Sequence, residues 1–165
     1  MKSLIQKKKQ LRNFQKNKIV KTNELKVKSK TENLSIIRDF VSSYAADAGI
    51  ASDIIENIIL AVDEACTNII KHAYHSVPDG EIIIKLKLSG KKFIVTIKDY
   101  GNSFSPEKIP EPDLQKYYRQ KKVGGLGMYL MKTLMDDVKY HSVPGKYNEV
   151  LLSKSIKIGK SNVRQ

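Results

Sequence analysis

The sequence predicts an α+β fold, a two-layer sandwich in which a mixed β-sheet carries its helices on one face. Three observations predict it. Apolar residues between about positions 31 and 74 recur at helical spacing, whereas those of Glu81 to Lys98 and Val138 to Ser153 follow the short runs and turns of strands. Strands on one side and helices grouped on the other make two layers. With 165 residues, 41% of them hydrophobic, the chain is long enough to bury one core and too short for two.

Each element has its own signal. Glu24 to Ser29 alternates weakly and reads as an edge strand, leading into a helix capped near Thr31 whose apolar face is Leu34, Ile37, Phe40 and Val41. Gly49 breaks the chain. Ser52 or Asp53 can cap a second helix, which buries Ile55, Ile58, Ile59, Val62, Ala65 and Ile69. Val77-Pro78-Asp79-Gly80 is a turn, and Glu81 to Leu88 and Lys92 to Lys98 are strands joined through Ser89-Gly90. Ser103 to Val123 holds Pro106, Pro110 and Pro112, several charges and little periodicity, the mark of a long connection that is functional or disordered. A helix from about Gly125 to Met135 follows. Val138 to Val143, the turn Pro144-Gly145-Lys146 and Asn148 to Ser153 then form a hairpin. The domain is expected at 24–154, between a basic tail at 1–23 and a C-terminal tail at 155–165.

The polar residues that carry chemistry begin in the second helix. Glu64, Asn68, Lys71 and His72 fall at i, i+4, i+7 and i+8 along an otherwise apolar stretch, and residues at those offsets stack on one face. A carboxylate that takes a proton, an amide oxygen that suits Mg²⁺ and an ammonium that neutralises phosphate would then point into one place. A solvated helix face is the bland alternative. Asp99, at the end of a strand and followed by Tyr100-Gly101, suits a buried acceptor for an exocyclic amine, although Asp-x-Gly is also an ordinary turn. Gly124-Gly125-Leu126-Gly127-Met128 stands just before a helical apolar pattern, where backbone N–H groups and the helix dipole favour phosphate oxygens. Neither a Walker A sequence nor a dinucleotide Gly-x-Gly-x-x-Gly is present.

In order and spacing these three segments resemble the N, G1 and G2 boxes of the GHKL (Bergerat-fold) ATP-binding superfamily. Asp63-Glu64-Ala65-x-x-Asn68, Asp99-x-Gly101-x-x-Phe104 and Gly124-Gly125-Leu126-Gly127-Met128 look like the anti-sigma-factor serine kinases of bacterial partner-switching systems. The resemblance spans residues 24 to 154. It implies ATP and Mg²⁺, with Glu64 as general base and Asn68 as metal ligand. Lys71 would lie near the phosphates, His72 near the base or ribose, and Asp99 at the adenine amine, with Gly101 allowing close approach. Phe104, Gly124, Gly125, Leu126, Gly127 and Met128 complete the implied nucleotide-binding set. Ser103 to Val123 looks like the family's ATP lid, from which Lys116, Arg119, Lys121 or Lys122 could reach phosphate. A Thr that in many relatives contacts adenine from the last strands is not evident near Asn148 to Leu152.

The function so implied is a serine/threonine protein kinase that phosphorylates a Ser or Thr of an anti-sigma-factor antagonist and, in its other complex, sequesters a sigma factor, working as a homodimer. A non-catalytic ATP-binding module whose nucleotide state switches partner affinity is the second reading, and Glu64 favours the first. A histidine-kinase catalytic fragment is the third. It lacks support, because His72, His75 and His141 all fall inside the domain and no helical hairpin with a phosphoacceptor His precedes it.

Cysteine, charge and hydropathy set the surroundings. The single cysteine, Cys66, excludes an internal disulfide and reads as a small buried hydrophobe. No apolar run approaches the ~20 residues needed to span a bilayer, and no apolar signal region follows the first charges, so a cytoplasmic protein is expected. Of the net charge of +13, residues 1–30 hold +10, eleven Lys or Arg against Glu24. That lead reads as a solvated tail, with contact to nucleic acid or an anionic membrane surface as the alternative. Neither aromatic stacking platforms nor zinc-ligand spacing accompany it.

Overall fold

Alternation turns Ile82, Ile84 and Leu86, and then Phe93, Val95 and Ile97, to one side of two successive strands, and all six are fully buried. In the computed structural model, which describes residues 23–103, 112–119 and 126–156, these strands are β2 (Glu81–Ser89) and β3 (Lys92–Asp99). They sit in a five-stranded sheet with β1 (Glu24–Lys28), β4 (Asp137–Val143) and β5 (Tyr147–Ser155), in the order β1-β2-β3-β5-β4.

Every neighbouring pair is antiparallel, where a mixed sheet was expected. The reason lies in the second half of the chain. The connection out of β3 returns β4 in β3's own direction, as a parallel crossover does, but one place further out. The hairpin at Pro144-Gly145-Lys146 then folds β5 back into the gap, antiparallel to both neighbours.

Helices α1 (Leu34–Asp47), α2 (Ser52–Asn68) and α4 (Gly127–Leu134) pack on the face that those inward strand residues present, and α3 (Leu114–Arg119) is a short piece between β3 and α4. Ile37 and Val41 of α1, Ile58 and Val62 of α2 and Met131 of α4 join the strand residues in one core. Cys66 lies fully buried among them, and burial, with Asp63 and Asp99 adding to it, pushes its thiol up beyond the reactive range. Between α1 and α2, Gly49 makes the reversal at φ +75°, a left-handed conformation that side chains disfavour.

Both helix starts differ from expectation. Thr31 opens a short 3₁₀ turn, Thr31–Asn33, and α1 begins after it with no side-chain cap: Asn33, at the cap position, has helical rather than extended backbone, and its amide donates to Lys28 O at 2.8 Å. The residue capping α2 is Ala51, and Ser52 and Asp53 fall inside the first turn. There Asp53 still favours the positive end of the helix dipole.

The end of α2 positions everything that follows. Its last turn widens into a π-helical turn, Ile69–Ala73, a rare geometry found disproportionately at functional sites. Tyr74 then ties that turn to the sheet: its hydroxyl donates to Glu81 O at 2.7 Å and accepts from Tyr100 N–H at 2.8 Å. At the far end, β5 runs on to Ser155 and the core to Ile156, two residues past the expected boundary.

Candidate functional site

A cavity of about 260 Å³ opens between the π-helical turn, the end of β3, the β4–β5 hairpin and α4. Ile69, Met131 and Val150 give it apolar walls, and Asn68, His72, Asp99 and Asn148 supply the polar groups. A cavity with apolar walls and a few fixed polar groups suits a planar heterocycle.

Asp99 is the group most constrained by the fold. It ends β3 with only 2% of its surface exposed. Its Oδ1 accepts from Gly101 N–H at 2.9 Å and from Asn148 Nδ2 at 2.9 Å, which leaves Oδ2 for the cavity. Burial pushes this carboxyl above the ordinary range, while the bonds from Asn148 and Gly101 hold it down. The glycine two residues on is required by the protein itself. A Cβ on Gly101 would sit 2.6 Å from Ala73 O, so the strand end can meet the π-helical turn only without a side chain, and Asn102 N–H donates to the same oxygen at 2.8 Å.

A second cluster lies where α2 meets α4. A Cβ on Gly127 would collide with the Glu64 carboxylate and lie 3.7 Å from Asn68 Nδ2. Glu64 and Asn68 are both half-buried, so a carboxylate and an amide stand together at the N-terminal end of α4, where free backbone N–H groups and the helix dipole favour anions. Leu126 begins that helix, its carbonyl accepting from Leu130 N–H at 2.8 Å, and Met128 packs against the core. An amide oxygen and a carboxylate are hard donors that fit Mg²⁺. Among the described residues no three His, Cys, Asp or Glu side chains converge as a metal site of their own.

Of the four polar residues on α2 and its π-helical extension, Glu64 and Asn68 come together at Gly127 and Asn68 and His72 line the cavity, while Lys71 is not among the residues lining it. Lys71 lies beside Thr67 and Ile70 on a separate hollow. The π-helical turn is the cause: it needs more residues per revolution than an α-helix, so the third residue beyond Asn68 falls short of the face and the fourth arrives on it. Phe104, Gly124, Gly125, Lys121 and Lys122 lie outside the described residues. Lys116 and Arg119 stand exposed on α3.

Asn148 is a polar residue of the cavity wall that sequence reasoning did not single out. It is 8% exposed and sits directly across from Asp99 in the β3–β5 register. The signal was present as a polar side chain on the inward face that Val150 and Leu152 continue, but its meaning depends on which residue lies opposite.

Residues 27–154 match the family model described as a histidine kinase-like ATPase domain. The serine-protein kinase RsbW of Bacillus subtilis is 38% identical over 127 residues, covering 74% of this chain and 79% of that protein. The RsbW serine-protein kinase of Listeria monocytogenes is 37% identical over 121 residues, covering 71% of this chain and 77% of that protein. A solved structure of the RsbU and RsbW domains of a Mycobacterium tuberculosis protein superposes with a TM-score of 0.58 at 16% identity, over 82% of this chain and 33% of that one, and so supports the fold. With a matched span that runs from β1 to the end of the sheet, the chain belongs to the histidine kinase-like ATPase domain family.

Proposed function

We propose that this chain is a serine/threonine protein kinase using Mg-ATP, and that it serves a bacterial partner switch as the anti-sigma factor, phosphorylating an antagonist protein and in its other complex holding a sigma factor. Relatives at 37–38% identity over most of the chain carry the name serine-protein kinase. The observation that carries the reading here is the Glu64 carboxylate packed against the bare Cα of Gly127, beside the Asn68 amide.

That arrangement separates two tasks. Asp99 accepts the adenine amine in the cavity, and His72 flanks the base or ribose. At the other end Glu64 takes the proton from the attacking Ser or Thr hydroxyl, and the N-terminal end of α4 with Gly125 and Gly127 receives phosphate oxygens. Asn68 is the residue that would hold Mg²⁺, which when bound neutralises phosphate charge. Phosphoryl transfer needs little beyond positioning, neutralisation and one base, so this set is sufficient. Two copies of the chain acting as a homodimer belong to the same reading.

Glu64→Gln tests it, because the amide keeps size and hydrogen bonding but cannot take the proton. ATP should still bind while single-turnover transfer to a partner serine, at saturating ATP, falls by ~10²-fold or more. Near-normal transfer would remove Glu64 as the base and favour an ATP-binding switch without chemistry.

A further inference from the structure

The hydrogen bonds around Asn148 form a directed chain. Its Nδ2 donates to Asp99 Oδ1 at 2.9 Å and to Gly101 O at 3.1 Å, with Asn102 O also near at 3.3 Å. Its Oδ1 accepts from Ser142 Oγ at 2.6 Å. Ser142 has one hydroxyl hydrogen and spends it on that short bond, so the neighbouring Ser103 hydroxyl, 3.1 Å away, is the donor in their pair. Turning the amide over would set its oxygen against three acceptors, so only one orientation is tolerated. Both amide hydrogens are therefore committed to protein acceptors, and Asn148 has none to offer a ligand.

We propose that Asn148, anchored by Ser142, is the positioning residue that makes the base pocket selective for an exocyclic amine: it occupies Asp99 Oδ1 and turns Oδ2 alone to the nucleobase. This role rests on the nucleotide-binding reading above. A base with an amine at that point donates to Oδ2, whereas a 6-oxo base sets an acceptor against an acceptor and is refused. Losing the Asn148 bond has two consequences. Asp99 can rotate, and its carboxyl, already raised by burial, rises further. The titratable groups around it are Cys66 and Tyr74 from α2 and its extension, His72 from the π-helical turn, Tyr140 and His141 from β4, and Glu149 from β5. All of these groups are retained in every variant compared, so a difference between variants reports the change made at Asn148 or Ser142.

The test measures ATP and inosine triphosphate affinities by calorimetry across mildly acidic to neutral pH, on the full chain and three variants. The wild-type chain should prefer ATP, and its ATP affinity should weaken as pH falls. Asn148→Leu should lose ATP affinity by ~10-fold or more while inosine triphosphate changes little, and the acid loss should set in at higher pH. Ser142→Ala, a milder change that spares the strand, should lower the ATP preference in the same direction. Asn148→Thr restores a donor to Asp99 and should recover both the preference and the pH profile. An unchanged ATP preference in both Asn148→Leu and Ser142→Ala would overturn the proposal, as would equal loss of both nucleotides. If Asn148→Leu fails to fold, an unchanged preference in Ser142→Ala alone overturns it. Failure of the wild-type chain to bind either nucleotide would instead overturn the functional reading on which this role rests.

Discussion

Asp99 shows the cost at which a carboxyl group is kept inside a fold. Burial raises its carboxyl above the ordinary range, against the hydrogen bonds from Asn148 and Gly101. The sign of its linkage follows: a folded pKa above the unfolded one contributes stability that is fully present below the unfolded pKa and is lost as pH rises through the folded value. At neutral pH the ionised group therefore weakens the fold relative to a neutral isostere. Asp99→Asn keeps an Oδ1 acceptor for Gly101 N–H and Asn148 while removing the charge. It should raise the melting temperature at neutral pH, the gain shrinking as the solution is acidified, and it should abolish selective ATP binding because the side chain then offers the base a donor. Thermal scans over a pH series check the first part, and a lower melting temperature at neutral pH would show that Asp99 stabilises the fold in its charged form.

Tyr74 is the joint between the helical layer and the sheet. Its hydroxyl links Glu81 O of β2 to Tyr100 N–H just beyond β3, and its ring fills the space that a Cβ on Gly80 would invade. Tyr74→Phe keeps the ring and removes both bonds, which should cost about 1–3 kcal/mol in denaturant unfolding. Because the π-helical turn before Tyr74 follows directly on Asn68 and carries His72, ATP affinity should fall with it; a variant as stable as the wild type would deny the hydroxyl its place as a strut. The same region marks where sequence stops being legible. Apolar spacing placed α2, β2 and β3 closely, since burial of Ile58, Ile84 or Phe93 leaves a direct trace in the residue order. Helical spacing groups Lys71 with Asn68, whereas the chain passes there through a π-helical turn and Lys71 lines a hollow with Thr67 and Ile70; no residue type announces such a turn. The cap expected near Thr31 is absent because a 3₁₀ turn precedes α1 and leaves Asn33, at the cap position, with helical rather than extended backbone. Asn148 went unrecognised because its partner, Asp99, is 49 positions away and becomes its neighbour only through strand register.

At the scale of the whole molecule, charge divides the chain more sharply than structure does. Within the described residues many of the cations are matched: Lys85 lies 3.0 Å from Glu24, Lys139 2.8 Å from Asp137, Arg38 2.6 Å from Asp63, and Lys98 stacks 3.9 Å from the centre of the Tyr147 ring. No described helix is long and apolar enough to cross a membrane. Residues 1–20, by contrast, hold seven Lys or Arg and no acid, so removing them lowers the net charge from +13 to +6. None of Glu64, Asn68, Asp99, Gly127 or Asn148 lies there. A chain lacking residues 1–20 should therefore bind ATP as the full chain does. If the lead engages polyanions, the full chain should be retained on DNA or on anionic vesicles at low salt and released as salt rises, because each phosphate contact liberates a counterion. The shortened chain should show weaker retention and a shallower salt dependence. Equal retention of the two proteins at low salt would assign any polyanion binding to the domain's own lysines and leave the lead as a solvated tail.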